Sequence, residues 1–441
     1  MKLIKNMTFA ALALLSVESA YSTPTTIYIA GSNGDRAGTQ LGISQILSSG
    51  WTFQGINGST SSTGTLSTAT GANFGAWHGY YGGNEYIIKV SFIGALAGDA
   101  AVAGNVAQPF VVSNGTGSGA VVSPLTGVLG TDYTLQNADF GFSTVFQATT
   151  PFLGVYNGVT YNAVTEEVVG ASPLGFYASP GFPGTNITTQ LAQQLYATGN
   201  LPVSLFTGNY TTDNHKYVYA LSRDTDAGQR YGIFAETGTG NSGTITAWQP
   251  TITGQITGTG GLKYGGTVNS QILWPAETKN GIYSPTGSGG YSSGALIAQP
   301  LTTVLGANAY QGQYTDPDTG TTLYLHSDAT AGYYIGYLTP TDANPGVLGT
   351  TGVVPSGSRG VALTYNGVAL TNANVQNGTY TAWVYNRIIK PTSGLAGLKL
   401  TIHDVLRDQI KNTAAAGSGA IALDSNFLVQ RFADGGFVTV K

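Results

Sequence analysis

Arg223 stands where an apolar run, Tyr217-Val218-Tyr219-Ala220-Leu221-Ser222, gives way to a polar turn, Asp224-Thr225-Asp226-Ala227-Gly228-Gln229. The segment Arg230-Tyr231-Gly232-Ile233-Phe234-Ala235 then reads as the opening of a helix. A forked cation at a strand end, facing the free amides of a helix N-terminus, is an arrangement that holds an oxyanion. The plainer reading is a solvated arginine beside a loop. Asp224 and Asp226 are read as neutralising the turn and capping the helix that follows.

Elements that could position such a site alternate along the chain. Ile27-Tyr28-Ile29-Ala30 reads as a strand, Gly31 to Asp35 as a turn, and Arg36 to Leu47 as a helix with Ala37, Leu41, Ile46 and Leu47 on one face. Trp51 to Asn84 is rich in turn residues and reads as an inserted hairpin or loop. Tyr86 to Ile93 is a second strand, followed by Gly94-Ala95-Leu96-Ala97-Gly98 and a run of small residues. Strand, glycine turn and helix have then occurred twice, the rhythm of an α/β sheet. Thr188 to Thr198 reads as a helix capped by Thr188 or Thr189 and stopped by Gly199-Asn200. Gly238 to Asn269 reads as a β-rich insertion. Leu398 to Asn412 reads as a helix with Leu398, Ile402, Val405, Leu406 and Ile410 inside and His403, Asp404, Arg407, Asp408 and Lys411 outside.

Composition narrows the function classes. Charged residues make up 9% of the 441, against about a quarter in an average globular chain, so Gly, Ser, Thr, Asn and Tyr must cover the surface. A net charge of −4 argues against nucleic acid and anionic membrane as partners. Lys2 and Lys5, the apolar run from Met7 to Val17, and the small residues Ala20 and Ser22 read as a signal peptide cleaved after Ser22 or Ala20. No later segment is long and apolar enough to span a bilayer. The chain has no cysteine, so neither disulfides nor a lipidated cysteine can serve it in an exported compartment. The expected location is the periplasm or the medium.

Other motifs carry less chemistry. Gly290-Tyr291-Ser292-Ser293-Gly294 satisfies G-x-S-x-G, but among 64 glycines such a match is expected by chance and no strongly apolar strand leads into it. His78, His215, His326 and His403 show no metal-ligand spacing, so neither a metal nor a cofactor is expected. Asp316-Pro317-Asp318-Thr319-Gly320 begins like a calcium loop but lacks the downstream glutamate, and Pro317 favours a turn.

Taken in order, these pieces resemble the phosphate-type substrate-binding proteins of ABC transporters, the periplasmic binding protein type II family. Gly31-Ser32-Asn33 resembles the family's first anion-binding turn, and Asp139-Phe140-Gly141-Phe142-Ser143-Thr144 its D-F-G-x-S-D segment. Arg223 with Ala227-Gly228-Gln229 resembles its R-x-x-x-S-G-T loop. Gly290 to Ala295 and Gly332 to Tyr337 resemble its distal-lobe helix start and following strand, and Tyr365 to Tyr380 its return crossover. The resemblance covers most of the chain after residue 22, with insertions. It implies an α/β fold of two lobes with β-rich insertions: lobe 1 from 23–168 and 377–441, lobe 2 from 169–376. It implies a non-enzyme that holds a small, phosphate-like oxyanion and hands it to an ABC transporter membrane component. Carried over position by position, the ligand would meet Ser32, Asn33, Ala95, Leu96, Ser143, Thr144, Arg223, Ala227, Gly228 and Gln229. The second turn has two candidates, Gly94 to Gly98 by topology and Gly58-Ser59-Thr60-Ser61-Ser62 by hydroxyls, and the first is preferred.

The departures weaken phosphate selectivity. Thr144 stands where the family has the carboxylate that accepts a proton from phosphate, and Ala227 and Gln229 replace two hydroxyl donors. A second reading is therefore a structural or surface-assembly protein that kept the fold and lost the site. Low charge and long Gly-rich insertions suit it.

Overall fold

The structure is a computed structural model; it describes residues 23–57, 60–63, 65–240, 244–258, 262–315, 318–414 and 419–441. The leader, Gly58 and Ser59 of the alternative second turn, and Asp316-Pro317 of the calcium-like loop lie outside these residues.

Two sheets organise the chain. It opens with β1 (Thr25–Gly31) and α1 (Arg36–Ile46), and continues through β2 (Thr52–Asn57), β3 (Thr60–Thr63), β4 (Phe74–Tyr81) and β5 (Asn84–Phe92). After α2 (Ala95–Ala103) come β6 (Phe140–Ser143) and β7 (Val164–Pro173). One residue later β8 (Gly175–Ala178) begins the second sheet, which also takes β9 (Asn186–Ile187), β10 (Asn200–Pro202), β11 (Lys216–Ala220), β12 (Ala331–Leu338) and β13 (Val361–Tyr365). Helices α3 (Thr189–Thr198) and α4 (Gly228–Glu236) lie within this stretch. The chain returns to the first sheet as β14 (Trp383–Pro391) and adds α5 (Gly397–Gln409). The spatial orders are β7-β14-β6-β1-β5-β4-β2-β3 and β9-β13-β8-β12-β11-β10. Two crossovers, β7 to β8 and β13 to β14, thus join two α/β lobes.

Helices cover both faces of the first sheet. Ile27 and Ile29 of β1 pack with Ile43 of α1 and with Ile402, Leu406 and Ile410 at the α5 end. Ala30 faces the other way, with Tyr28, onto Ala101 of α2, as the two-residue period of a strand requires. Every residue of α2 is buried, and its Ala-Gly composition lets it lie close against the sheet. In the second lobe Val218 and Ala220 of β11 meet Leu195 and Tyr196 of α3 and Ile233 and Phe234 of α4. Tyr219 and Leu221 face Trp248, Ile297 and Leu301 on the opposite side.

Local signals behave as their chemistry dictates at α3. The Thr188 hydroxyl accepts from the Leu191 amide at 3.1 Å, and Gly199, at φ 79°, closes the helix in the left-handed region. Three expectations need correction. The stretch Trp51 to Asn84 is no separate insertion: β4 pairs antiparallel with β5 and β2 with β4, so it widens the first sheet. In α5, His403 is buried and Leu398 is exposed. The imidazole is admitted because its ring meets Phe140 edge-on at 5.2 Å while Nδ1 has the Asp404 carboxylate at 2.9 Å. Finally, α4 starts at Gly228 with Ala227 as its cap residue and has no side-chain cap, so neither Asp224 nor Asp226 caps it.

Candidate functional site

Strands β5 and β6 flank β1, and both run parallel to it. The order therefore reverses at β1, and the loops beyond the carboxyl ends of these strands open onto one crevice, the place where open α/β sheets put ligands. Those loops carry Ser32 and Asn33 after β1, Gly94 and Ala95 after β5, and Thr144 after β6. Across the crevice β11 and β12 are also parallel. Their carboxyl ends lead into Arg223 and into Thr339, Thr341 and Asp342. Together they enclose a cleft of about 600 Å³ between the lobes.

Of the residues singled out from sequence, Ser32, Asn33, Ala95, Thr144, Arg223, Ala227, Gly228 and Gln229 line this cleft. Leu96 and Ser143 do not. The Leu96 side chain is buried with Ala100, Val145 and Phe152 beneath α2. The Ser143 hydroxyl donates to Asp99 Oδ2 at 2.7 Å, on the inner side of β6. Both lie one residue from cleft residues, where the alternation of strand and helix faces turns them inward.

Arg223 is held firmly. Its Nε donates to the Tyr291 carbonyl at 2.9 Å, one terminal nitrogen to Gln229 Oε1 at 2.6 Å, and the other to the Ser292 carbonyl at 3.1 Å. A guanidinium has five N–H donors, so two are left after these three bonds. The strand end beneath it is braced by Arg230, which donates to the Arg223 carbonyl at 3.0 Å and to Ser288 Oγ at 3.2 Å. Gln229 thus supplies an acceptor that orients the arginine.

A second arginine comes from the other lobe. Arg36, in the first turn of α1, reaches the cleft, donates to Asn73 Oδ1, and has its Nε buried without a partner. Asp342 lines the same cleft and feels the charge of both guanidinium groups. Burial raises its pKa, and the fields of Arg223 and then Arg36 pull the other way. Around the first turn three amides are engaged: Ser32 donates to the Phe142 carbonyl, Gly34 to Ser32 Oγ and Asp35 to the Ser32 carbonyl. Behind it the Asp35 carboxyl accepts from Asn386 at 2.6 Å, and burial pushes its pKa up to about 8.

The first turn of α2 has its partner from the opposite lobe. Ala95 and Leu96 donate to the Asp226 backbone carbonyl at 3.1 and 3.4 Å, and Ala97 donates to Asp226 Oδ1 at 2.9 Å. Burial and then the neighbouring Asp224 hold the Asp226 pKa well above the usual carboxylate range, against the pull of the Ala97 amide. Sequence reasoning missed Arg36, Asn73, Asp342 and this role of Asp226. Only Arg36 carried a signal, its place directly after the Gly-Ser-Asn turn.

One further cluster has metal-ligand potential. Glu167, His403 and Asp404 bring ligand atoms within 4.8 Å of one another. Arg407 reaches Glu167 at 2.9 Å and Asp404 at 3.1 Å, and Lys390 lies 3.5 Å from Glu167, so two side-chain cations already serve these carboxylates.

Two α/β lobes, two crossovers and a cleft at the carboxyl ends of parallel strands define a two-lobed α/β architecture. Among solved structures, the chain is similar to an ABC-type phosphate transport receptor from Vibrio cholerae, at 10% identity over 90% of this chain and 99% of that one, with a TM-score of 0.42. It is also similar to a putative phosphate ABC transporter substrate-binding protein with bound phosphate from Clostridium perfringens (11%, 91% and 100%, TM-score 0.40). A third is a possible phosphate binding protein from Planctomyces limnophilus (10%, 92% and 95%, TM-score 0.38). No protein-family model matches the chain, and no curated protein matches it. Among the described residues no helix is long and apolar enough to cross a membrane.

Proposed function

We propose that this chain is an exported, non-enzymatic solute-binding protein that holds a small oxyanion between lobes made of 23–168 with 377–441 and of 169–376. The observation that carries the reading is a pair of arginines, Arg36 and Arg223, one from each lobe, both lining a single cleft of about 600 Å³. Guanidinium groups are suited to oxyanions by their planar fork of donors, and two of them on opposing lobes let a ligand close a hinge. Ser32 and Thr144 add hydroxyls and Gly228 the start of α4. The bound protein would then present its ligand to an ABC transporter membrane component. In the test, thermal unfolding is followed with phosphate, sulfate, nitrate and chloride. A saturable rise with an oxyanion, lost in Arg223→Ala, is expected; no rise with any of the three oxyanions rejects the reading.

The second reading, a surface-assembly protein that kept the fold and lost the site, draws on a specific observation: the amides of α2 are taken by Asp226. Its signature is a particle above monomer mass in size-exclusion chromatography with light scattering, together with indifference to anions.

A further inference from the structure

The N-terminus of a helix leaves its first amides without intrahelical partners, and it carries a partial positive charge. In α2 the residue before the helix is Gly94, which has no side chain to cap it. The cap comes instead from Asp226, 129 residues from Ala97 along the chain and on the other lobe. Its backbone carbonyl takes two amides and its carboxyl a third. The carboxyl presses so closely on Gly94 that a Cβ there would run into it. Next to this contact Gly228, at the start of α4, lies against the Thr144 hydroxyl and Ala95, again with no room for a Cβ. The companion carboxylate on the same turn, Asp224, points elsewhere and pairs with Lys279.

We propose that Asp226 is a tethered occupant of the cleft: from the second lobe its backbone carbonyl and its carboxyl group together take the α2 amides that an external anion would meet, and they confine any ligand to the Arg36–Arg223 end. This deepens the oxyanion reading and rests on it only for the existence of an external ligand; the link between the lobes stands without one. It also names what the cleft refuses. A tetrahedral dianion that needs both the helix amides and the arginines finds one of the two already served. At the arginine end, where the Asp342 carboxyl also lines the cleft, the ligand class that fits is a small monoanion.

The test is chemical rescue. Asp226→Ala should lower the melting temperature, and formate, which carries the deleted group, should restore it with a saturable dependence that wild type does not show. The same variant should gain at least tenfold in apparent sulfate affinity over wild type. The formate response should survive when Arg223→Ala is added. Asp226→Asn, which keeps an acceptor for the Ala97 amide, should lose less stability and show no formate response. Hydrogen exchange in the wild type is a readout that does not depend on a variant folding: the amides of 95–97 should be protected to the level of the interior of α2. Unprotected amides there, or an Asp226→Ala protein that melts like wild type and ignores formate, overturn the proposal. If wild type ignores oxyanions while Asp226→Ala is rescued, the tethered occupant stands and the oxyanion reading falls. If wild type binds an oxyanion and Asp226→Ala changes nothing, the reverse holds.

Discussion

The two ends of the cleft differ in what occupies them. At the α2 end three backbone amides, a glycine and a carboxyl from the opposite lobe form a closed set of contacts. At the arginine end, which the Asp342 carboxyl shares, Arg36 keeps a buried Nε without a partner, and Arg223, though tied to three acceptors, retains two N–H groups. Both ends sit on the same architecture, at the carboxyl ends of parallel strands. Topology therefore determines where a site can form, while single side chains decide whether the place is vacant. At the α2 end one aspartate forms that contact between lobes.

The largest effect expected concerns the floor beneath the arginine end. The Asp35 carboxyl is buried and its pKa is pushed up to about 8, so the folded state holds its proton where the unfolded chain, at about 4, has lost it. Between those values the folded state binds more protons, and stability must fall as pH rises. The fall is complete near pH 8 and on the order of 5 kcal/mol at its upper limit. Urea unfolding across pH 4 to 8 reads it directly, and Asp35→Asn should remove the share owed to this group. An Asn variant with an unchanged slope would show that Asp35 is not the cause.

Next in size is Arg223→Ala, which should cost about 2–5 kcal/mol of oxyanion binding because its partner groups are left buried and unpaired. It should leave the protection of the α2 amides untouched. Loss of protection at 95–97 in this variant would mean that the two ends are one coupled site rather than two independent ones.

Gly94→Ala probes the other end. Its new methyl group competes with the Asp226 carboxyl for the same space, and overpacking of this kind costs about 1–3 kcal/mol. Adding Asp226→Ala should relieve most of that cost, so a double-mutant cycle should show strong coupling between positions 94 and 226. Additive effects would break the assignment of Asp226 to this contact.

The smallest effect is expected at Thr144, which touches both descriptions. Thr144→Asp supplies the proton acceptor that the resemblance places there, and it should shift the phosphate-over-sulfate preference by about 0.5–1.5 kcal/mol, the worth of one hydrogen bond. Calorimetry with both anions measures it. Tight, phosphate-only binding by the unaltered protein would show that another acceptor serves.

Much of this was legible along the chain because it depends on local chemistry. The period-two run of β1, the Thr188 cap and Gly199 stop of α3, and the strand-turn rhythm that ends at Arg223 are all set by residues within a few positions of one another. Local patterning is less reliable where packing partners come from far away. His403 looked like a solvent-facing residue of α5 because an imidazole on a polar stripe prefers water; Phe140 and Asp404 supply a buried berth for it. Trp51 to Asn84 reads as an inserted hairpin or loop because turn residues outnumber apolar ones; β2 and β3 do form a hairpin, but β4 pairs with β5 and β2 with β4, which joins the stretch to the first sheet.

What the sequence determined by itself is the class of chain: low charge, no cysteine, alternating strands and helices, and an arginine at a strand end before a helix. These are additive properties of neighbouring residues, and no distant contact can change them. Only the tertiary structure decided the state of the cleft. Whether Asp226 caps the helix that follows it or a helix in the other lobe depends on how two lobes meet, and whether Arg36 faces Arg223 depends on the strand order that brings β1 and β11 to opposite sides of one crevice. A hydrogen bond has a reach of about 3 Å. Residues more than a hundred positions apart can come within that reach only by the packing of the whole chain, and a one-dimensional pattern carries no record of it.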